Sequence, residues 1–285
     1  MTDASNAGLR VAANDKLLAA GLLAVLSPVL IALGRMWWSS EHMSHGFLVP
    51  VVSGFVAASR TAELGALESS RDLRALAALG GGLALAFGGL LGSALTIAGL
   101  GVVISVVGLL WLRRGWPWVR ALAFPLAYLL FMVPPPEEWH GPLVVWLQGW
   151  ASEWSVATLY SLGVPVYLDG YVIQMAGGLQ VEVAAACSGA TSLYTLTAIG
   201  VLLAFLSLDR RRTRLALIAL VIPAALVGNL ARVVMTVLLC PVIGLERATT
   251  GWVHTALGLS IYVIAVSLLL AADAGLRRVE QRLAA

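Results

Sequence analysis

The chain has 285 residues, 60% of them hydrophobic and 12% charged, with a formal charge of +3. That balance excludes an ordinary soluble domain, and so small a charge, carried on residues clustered at helix ends, gives no reason to expect nucleic acid as a partner. Two cysteines are too few for a disulfide framework.

Apolar stretches recur from end to end and predict an all-α polytopic membrane protein, a single integral domain over 1–285. Eight spans are expected, at about 17–34, 44–59, 75–92, 94–112, 117–133, 187–208, 215–240 and 252–273. The first follows a short polar N-terminus without a small-residue cleavage site, so it reads as an uncleaved span rather than a signal peptide. The second has the shortest apolar part and is interrupted by Pro50. Residues 75–112 are too long for one crossing at ~1.5 Å per residue, which predicts a tight hairpin at Gly92 and Ser93.

Residues 134–186 form the large extramembrane segment and contain no Lys or Arg. PPPEEWHGP opens it as a rigid exit from the bilayer. Leu143, Trp146, Leu147, Trp150 and Trp154 then recur at helical spacing opposite Gln148, Ser152 and Ser155, the pattern of a helix lying in the interface. After Gly163 the period changes to two. VYL-DG-YVI predicts a β-hairpin around Asp169-Gly170, and LQVEV a third strand feeding into Cys187. Such a sheet would cap the bundle, or offer its free edge to an extended peptide.

Charge sets the topology. With both termini cytoplasmic, 15 of the 18 Lys and Arg residues fall on the inner side, Arg35 and Arg247 fall outside, and Arg232 is buried. The ten Trp residues all fall at expected interfaces. This orientation, in the cell inner membrane, puts residues 134–186 and His42, His45, His140 and His254 on the extracytoplasmic side.

Arg232 lies within the apolar run LALIALVIPAALVGNLARVVMTVLLCPVIG. A guanidinium at that depth costs roughly 2.5–3.5 kcal/mol, so it is normally retained for a task. Cys187 and His254 begin the apolar runs on either side. Arg232 sits ~12 Å below the outer end of its helix and can snorkel back, sharing a face with Asn229 and Thr236. Each residue has an ordinary reading: a packing Cys, an interfacial His, an Arg tying helices together with help from Asn229. Three such residues reaching one outer layer from adjacent spans weaken those readings together. A thiolate is a nucleophile favoured by helix N-termini and cationic groups, and Ser188-Gly189 leaves room for close approach. His254 would act as general base and then general acid, and Arg232 would hold an oxyanion or a carboxylate.

SHGFLVPVVS (44–53), FMVPPP (131–136), VEVAAACSGATSL (181–193), GNLARVVMT (228–236) and the later His254 resemble the exosortase/archaeosortase family over about residues 44 to 260. The resemblance implies a catalytic triad of Cys187, Arg232 and His254 in a multipass cysteine peptidase or transpeptidase without a cofactor or metal. Its implied partners are exported proteins whose C-terminal sorting signal is PEP-CTERM-like, a short motif followed by a transmembrane helix and a basic tail, and an exopolysaccharide-linked acceptor. Glu182 keeps an acidic residue upstream of the Cys, whereas Ala185, Ala190 and Thr191 depart from the family's acidic and basic or bulky positions. Asn229, Ser188, Glu182 and His45 are the supporting candidates.

Four rivals remain at this stage. Cys187 and Cys240 could form a disulfide. Ser188 with His254 would make a serine intramembrane peptidase. His42, His45 and His140 with Glu137 or Glu138 could hold a metal, His45 otherwise capping or orienting the second span. A transporter or assembly factor for exopolysaccharide export would also use a buried Arg.

Overall fold

Apolar composition becomes helix almost throughout, and glycines such as Gly115 and Gly244 stand where helices stop. The computed structural model describes residues 2–40 and 42–284, with side chains described for 16–40, 42–259 and 262–283. Arg10, assigned to the inner side from sequence, has its side chain outside that set. The chain divides into two units, Met1–Pro136 and Glu137–Ala285.

The first unit holds α1 (Thr2–Ser39), a 3₁₀ turn (Ser44–Phe47) running into α2 (Leu48–Ala58), α3 (Thr61–Gly65), α4 (Ala75–Leu91), α5 (Leu95–Arg114), α6 (Trp116–Ala121) and α7 (Ala123–Tyr128). The hairpin between α4 and α5 falls where expected, at Gly92–Ala94, closed by Ala94 N–H to Gly89 O at 2.8 Å. The two helices touch through glycine: a Cβ added to Gly101 would lie 2.2 Å from Ala86 N, and one at Gly89 2.4 Å from Ala98 N.

Pro50 sits in the first turn of α2, where a missing N–H costs nothing, so the helix is not interrupted there. The expected span 117–133 is broken instead. Gly115 ends α5, α6 stops at Ala121, and Pro125 can donate no hydrogen bond to the Ala121 carbonyl. Arg60 Nη1 takes that carbonyl at 2.9 Å, and Ser53 Oγ donates to Pro125 O at 2.6 Å.

Among the described residues, five helices are long and apolar enough to cross a membrane: Lys16–Ser39, Leu95–Arg114, Ala185–Ser207, Arg211–Ile243 and Leu245–Leu283. The segments expected at 44–59, 75–92 and 117–133 are the shorter helices Ser44–Ala58, Ala75–Leu91 and Ala123–Met132. At ~1.5 Å per residue these fall short of a ~30 Å hydrocarbon core. The chain is a mostly helical, multi-pass membrane protein, with crossing length reached by five of the eight expected spans.

The second unit begins with α8 (Glu137–Ser161), followed by β1 (Val166–Asp169), β2 (Val172–Met175) and β3 (Gln180–Glu182), then α9 (Ala190–Ser207), α10 (Arg211–Ile243), α11 (Leu245–Thr249) and α12 (Gly251–Ala284). α10 packs against α9 and α12 around Leu196, Leu217, Val221 and Leu269. α8 also packs on α10, burying its small and polar stripe of Gln148, Ala151, Ser152 and Ser155 while Trp146 and Trp154 stay exposed. Small side chains allow the close approach, and the indoles are left on the outer face.

Among the described residues the sheet has three antiparallel strands in the order β1-β2-β3. Asp169 pairs with Val172, so the hairpin turn is Gly170-Tyr171, one residue later than the sequence pattern suggests. Gly170, at φ +62°, takes the first central position, the glycine site of a type II′ turn. Ile173, Val181 and Val183 pack into the same core as Val233 and Val237 of α10, which fixes the sheet to that helix.

At the other end of α10, Glu280 of α12 accepts the backbone N–H groups of Asp209 and Arg210 and the Thr213 hydroxyl. A carboxylate there complements the helix N-terminus. Two turns deeper along α12, Asp273 is only 1% exposed and is hydrogen-bonded by Ser207 and Arg277.

Candidate active site

β3 leaves the sheet at Glu182 and passes through Val183 and Ala184 into a short 3₁₀ turn, Ala185–Cys187. Cys187 therefore stands just before α9 rather than within its first turn. Gln148 Nε2 donates to the Val183 carbonyl at 2.6 Å, and Ser152 Oγ donates to Gln148 O, so α8 anchors the strand's exit. The backbone then reverses through Gly189, at φ +96° and ψ 0°, a left-handed conformation suited to glycine.

α10 supplies the next two groups. Asn229, 2% exposed, donates from Nδ2 to the Cys187 carbonyl at 3.0 Å. It passes so close to the turn that a Cβ on Gly189 would lie 2.9 Å from Asn229 Cγ. One turn further on, Arg232 points its guanidinium at the sulfur: Nη2 is 3.6 Å from Cys187 Sγ. His254 comes from the first turn of α12.

Three atoms form a small triangle. Sγ of Cys187 is 3.8 Å from Nε2 of His254, and Arg232 Nη2 donates to the same Nε2 at 2.8 Å. In this arrangement Nε2 is an acceptor, so the imidazole is neutral. Arg232 Nε is buried and has no hydrogen-bond partner among the described residues. The backbone N–H of Cys187 is committed to Ala184 O at 2.8 Å, and that of Ser188 to Ala185 O at 3.1 Å. An oxygen arriving at the sulfur would find its donors on the guanidinium and not on the nucleophile's own amide. A cavity of about 120 Å³ opens at this point, bounded by Cys187, Arg232, His254, Thr236, Thr249 and residues 181–184.

The supporting candidates separate. Asn229 touches the Cys187 turn, while Ser188 is 2% exposed and its hydroxyl accepts the Ala190 N–H at 3.3 Å. Glu182 is exposed at the cavity's edge. His45 belongs to the first unit, hydrogen-bonded to backbone at Phe131 and His42. Both cysteines are free thiols, with Cys240 Sγ donating to Thr236 O at 3.2 Å. His140 pairs through Nδ1 with the Tyr194 hydroxyl at 3.0 Å. Among the described residues, no three His, Cys, Asp or Glu side chains are grouped to hold a metal ion.

A family model described as transmembrane exosortase (Exosortase_EpsH) matches residues 37–271, most of the chain and all of the groups just described. The chain belongs to the exosortase family. No curated protein and no solved structure matches it. Membership in the exosortase family fits a membrane peptidase or transpeptidase.

Sequence reasoning missed Gln148 and Thr249 at this site. Gln148 carried a signal, as a lone amide among Trp and Leu on a helical repeat with Ser152 and Ser155. Thr249 carried none, because its place at the cavity follows from how α11 packs.

Proposed function

We propose that this exosortase is a cysteine peptidase or transpeptidase that cleaves C-terminal sorting signals of exported proteins at the outer membrane-water interface. The observation that carries the reading is the single guanidinium nitrogen of Arg232 within reach of both the thiol and the imidazole. Cys187 is the nucleophile. His254 Nε2 takes the thiol proton as Sγ adds to the scissile carbonyl, and Arg232 shifts its hydrogen bond from the imidazole to the developing negative charge. His254 then returns the proton to the leaving amine, the C–N bond breaks and a thioester remains. Water or an acceptor amine, for instance one linked to exopolysaccharide, attacks the thioester and releases the thiol.

The substrate is an exported protein ending in a PEP-CTERM-like motif, a transmembrane helix and a basic tail. Such a tail presents its cleavage point just outside the bilayer, at the depth expected for Cys187 when both termini are cytoplasmic and the protein sits in the inner membrane. Ser188 is a poorer nucleophile in this geometry, because its hydroxyl is buried and accepts the Ala190 N–H.

The test co-expresses a reporter carrying such a tail with wild-type protein, Cys187→Ala and Ser188→Ala, and reads C-terminal processing by mass. Processing should vanish in Cys187→Ala. Processing that survives in Cys187→Ala and fails in Ser188→Ala would move the nucleophile to Ser188.

A further inference from the structure

β3 is an edge strand that runs into the catalytic turn, and its outer edge has no strand on it among the described residues. The ladder fixes which backbone groups lie there. Ile173 pairs with Val181, Met175 N–H donates to Leu179 O, and Val183 N–H donates to Tyr171 O, so Leu179, Val181 and Val183 turn their hydrogen-bonding groups toward β2. The alternate residues, Gln180 and Glu182, turn theirs away. Glu182 thus offers both an N–H and a C=O at the free edge, and it also bounds the cavity that holds Cys187, Arg232 and His254.

We infer that the substrate segment on the acyl side of the scissile bond binds as a fourth strand on β3, parallel to it, hydrogen-bonded through the backbone of Glu182. This rests on the peptidase reading above and names how that site selects its substrate. The direction follows from the chain: β3 points toward Cys187, so a segment delivering its own C-terminal carbonyl to the sulfur must run the same way. In a parallel pair, Glu182 N–H donates to one substrate carbonyl, and Glu182 C=O accepts the N–H two residues further on. The edge is held rigid for this. Val181 and Val183 are buried in the core against α10, and Gln148 clamps the Val183 carbonyl. Recognition of this kind reads main chain first and alternate side chains second. It therefore demands an extended substrate segment and tolerates varied sequence along it.

The experiment separates binding from cleavage by using Cys187→Ala protein in membranes. The probe is a reporter ending in a PEP-CTERM-like motif, an apolar helix and a basic tail, with a photo-crosslinking residue upstream of the motif. Added to that background, Glu182→Pro deletes the outward N–H and the carboxylate, whereas Glu182→Ala deletes the carboxylate alone. Proline is compatible with an edge position whose N–H faces outward. Capture of the reporter should be at least about tenfold lower with Glu182→Pro than with Glu182→Ala. Prolines walked through the reporter's acyl-side segment should weaken capture by the Cys187→Ala parent at every second position. Equal capture by the two variants together with a flat proline scan would overturn strand addition, as would absence of any capture by the parent. Alternating capture without cleavage by the wild-type protein would remove the peptidase reading and leave strand addition standing.

Discussion

Gly189→Ala tests whether the turn before α9 sets the sulfur's position. Alanine at φ +96° occupies the left-handed region, at about 1–3 kcal/mol. Its Cβ would also sit 2.9 Å from Asn229 Cγ and 3.0 Å from Asn229 Cβ, atoms close to the α10 backbone that cannot swing away. Asn229 must then retreat from the Cys187 carbonyl, losing a hydrogen bond with a net contribution of about 0.5–1.5 kcal/mol. Together these give about 1.5–4.5 kcal/mol, or roughly a 10- to 2,000-fold loss of rate if all of it is expressed at the sulfur. Reporter processing and the alkylation rate of Cys187 by iodoacetamide in native membranes would both be measured. Asn229→Ala removes the Cγ contact and already lacks the hydrogen bond to the Cys187 carbonyl, so the double variant should lose less than the sum of the single losses. Processing within twofold of wild type in Gly189→Ala, or strict additivity in the double variant, would refute the reasoning.

Three further outcomes are expected. Arg232→Lys keeps the charge but loses the planar guanidinium whose Nη2 is held between sulfur and imidazole, and reporter processing should fall by about 100-fold or more; near-normal processing would reduce Arg232 to a point charge. Gln148→Leu leaves the Val183 carbonyl without its donor, which should lower stability by about 1–3 kcal/mol in thermal unfolding of the detergent-solubilised protein; an unchanged melting temperature would remove Gln148 as the anchor of β3. Asp273→Ala removes the acceptor shared by Ser207 and Arg277 and should also cost about 1–3 kcal/mol by the same measurement. That loss should shrink when Arg277 is already Ala; equal losses in both backgrounds would uncouple the pair.

Arg232, Cys187 and His254 were legible in the sequence because each is chemically out of place in apolar surroundings, and the structure brings all three within hydrogen-bonding range. The sheet was legible from Asp169-Gly170 and from strict alternation in LQVEV, yet the turn itself slipped by one residue. Composition marked a turn there but could not say which central position the glycine takes. The segment 117–133 looked like one span because its composition is continuous. Its break follows from Pro125, and the Ala121 carbonyl left without a donor is taken by Arg60, distant in sequence. A donor so remote leaves no local pattern. Asp273 was hidden for a related reason: whether a polar residue on a helix is buried depends on which face its neighbours cover.

The most direct measurement is to trap the covalent species on the sulfur. Membranes from cells expressing the wild-type protein and the tail-bearing reporter would be quenched in acid, with His254→Gln as the control that cannot acylate, and the protein digested for mass spectrometry with and without hydroxylamine. A hydroxylamine-labile acyl adduct carrying the reporter's new C-terminus, attached to Cys187, is the expected result. An adduct on Ser188, or an adduct on Cys187 that forms equally in His254→Gln, would contradict it.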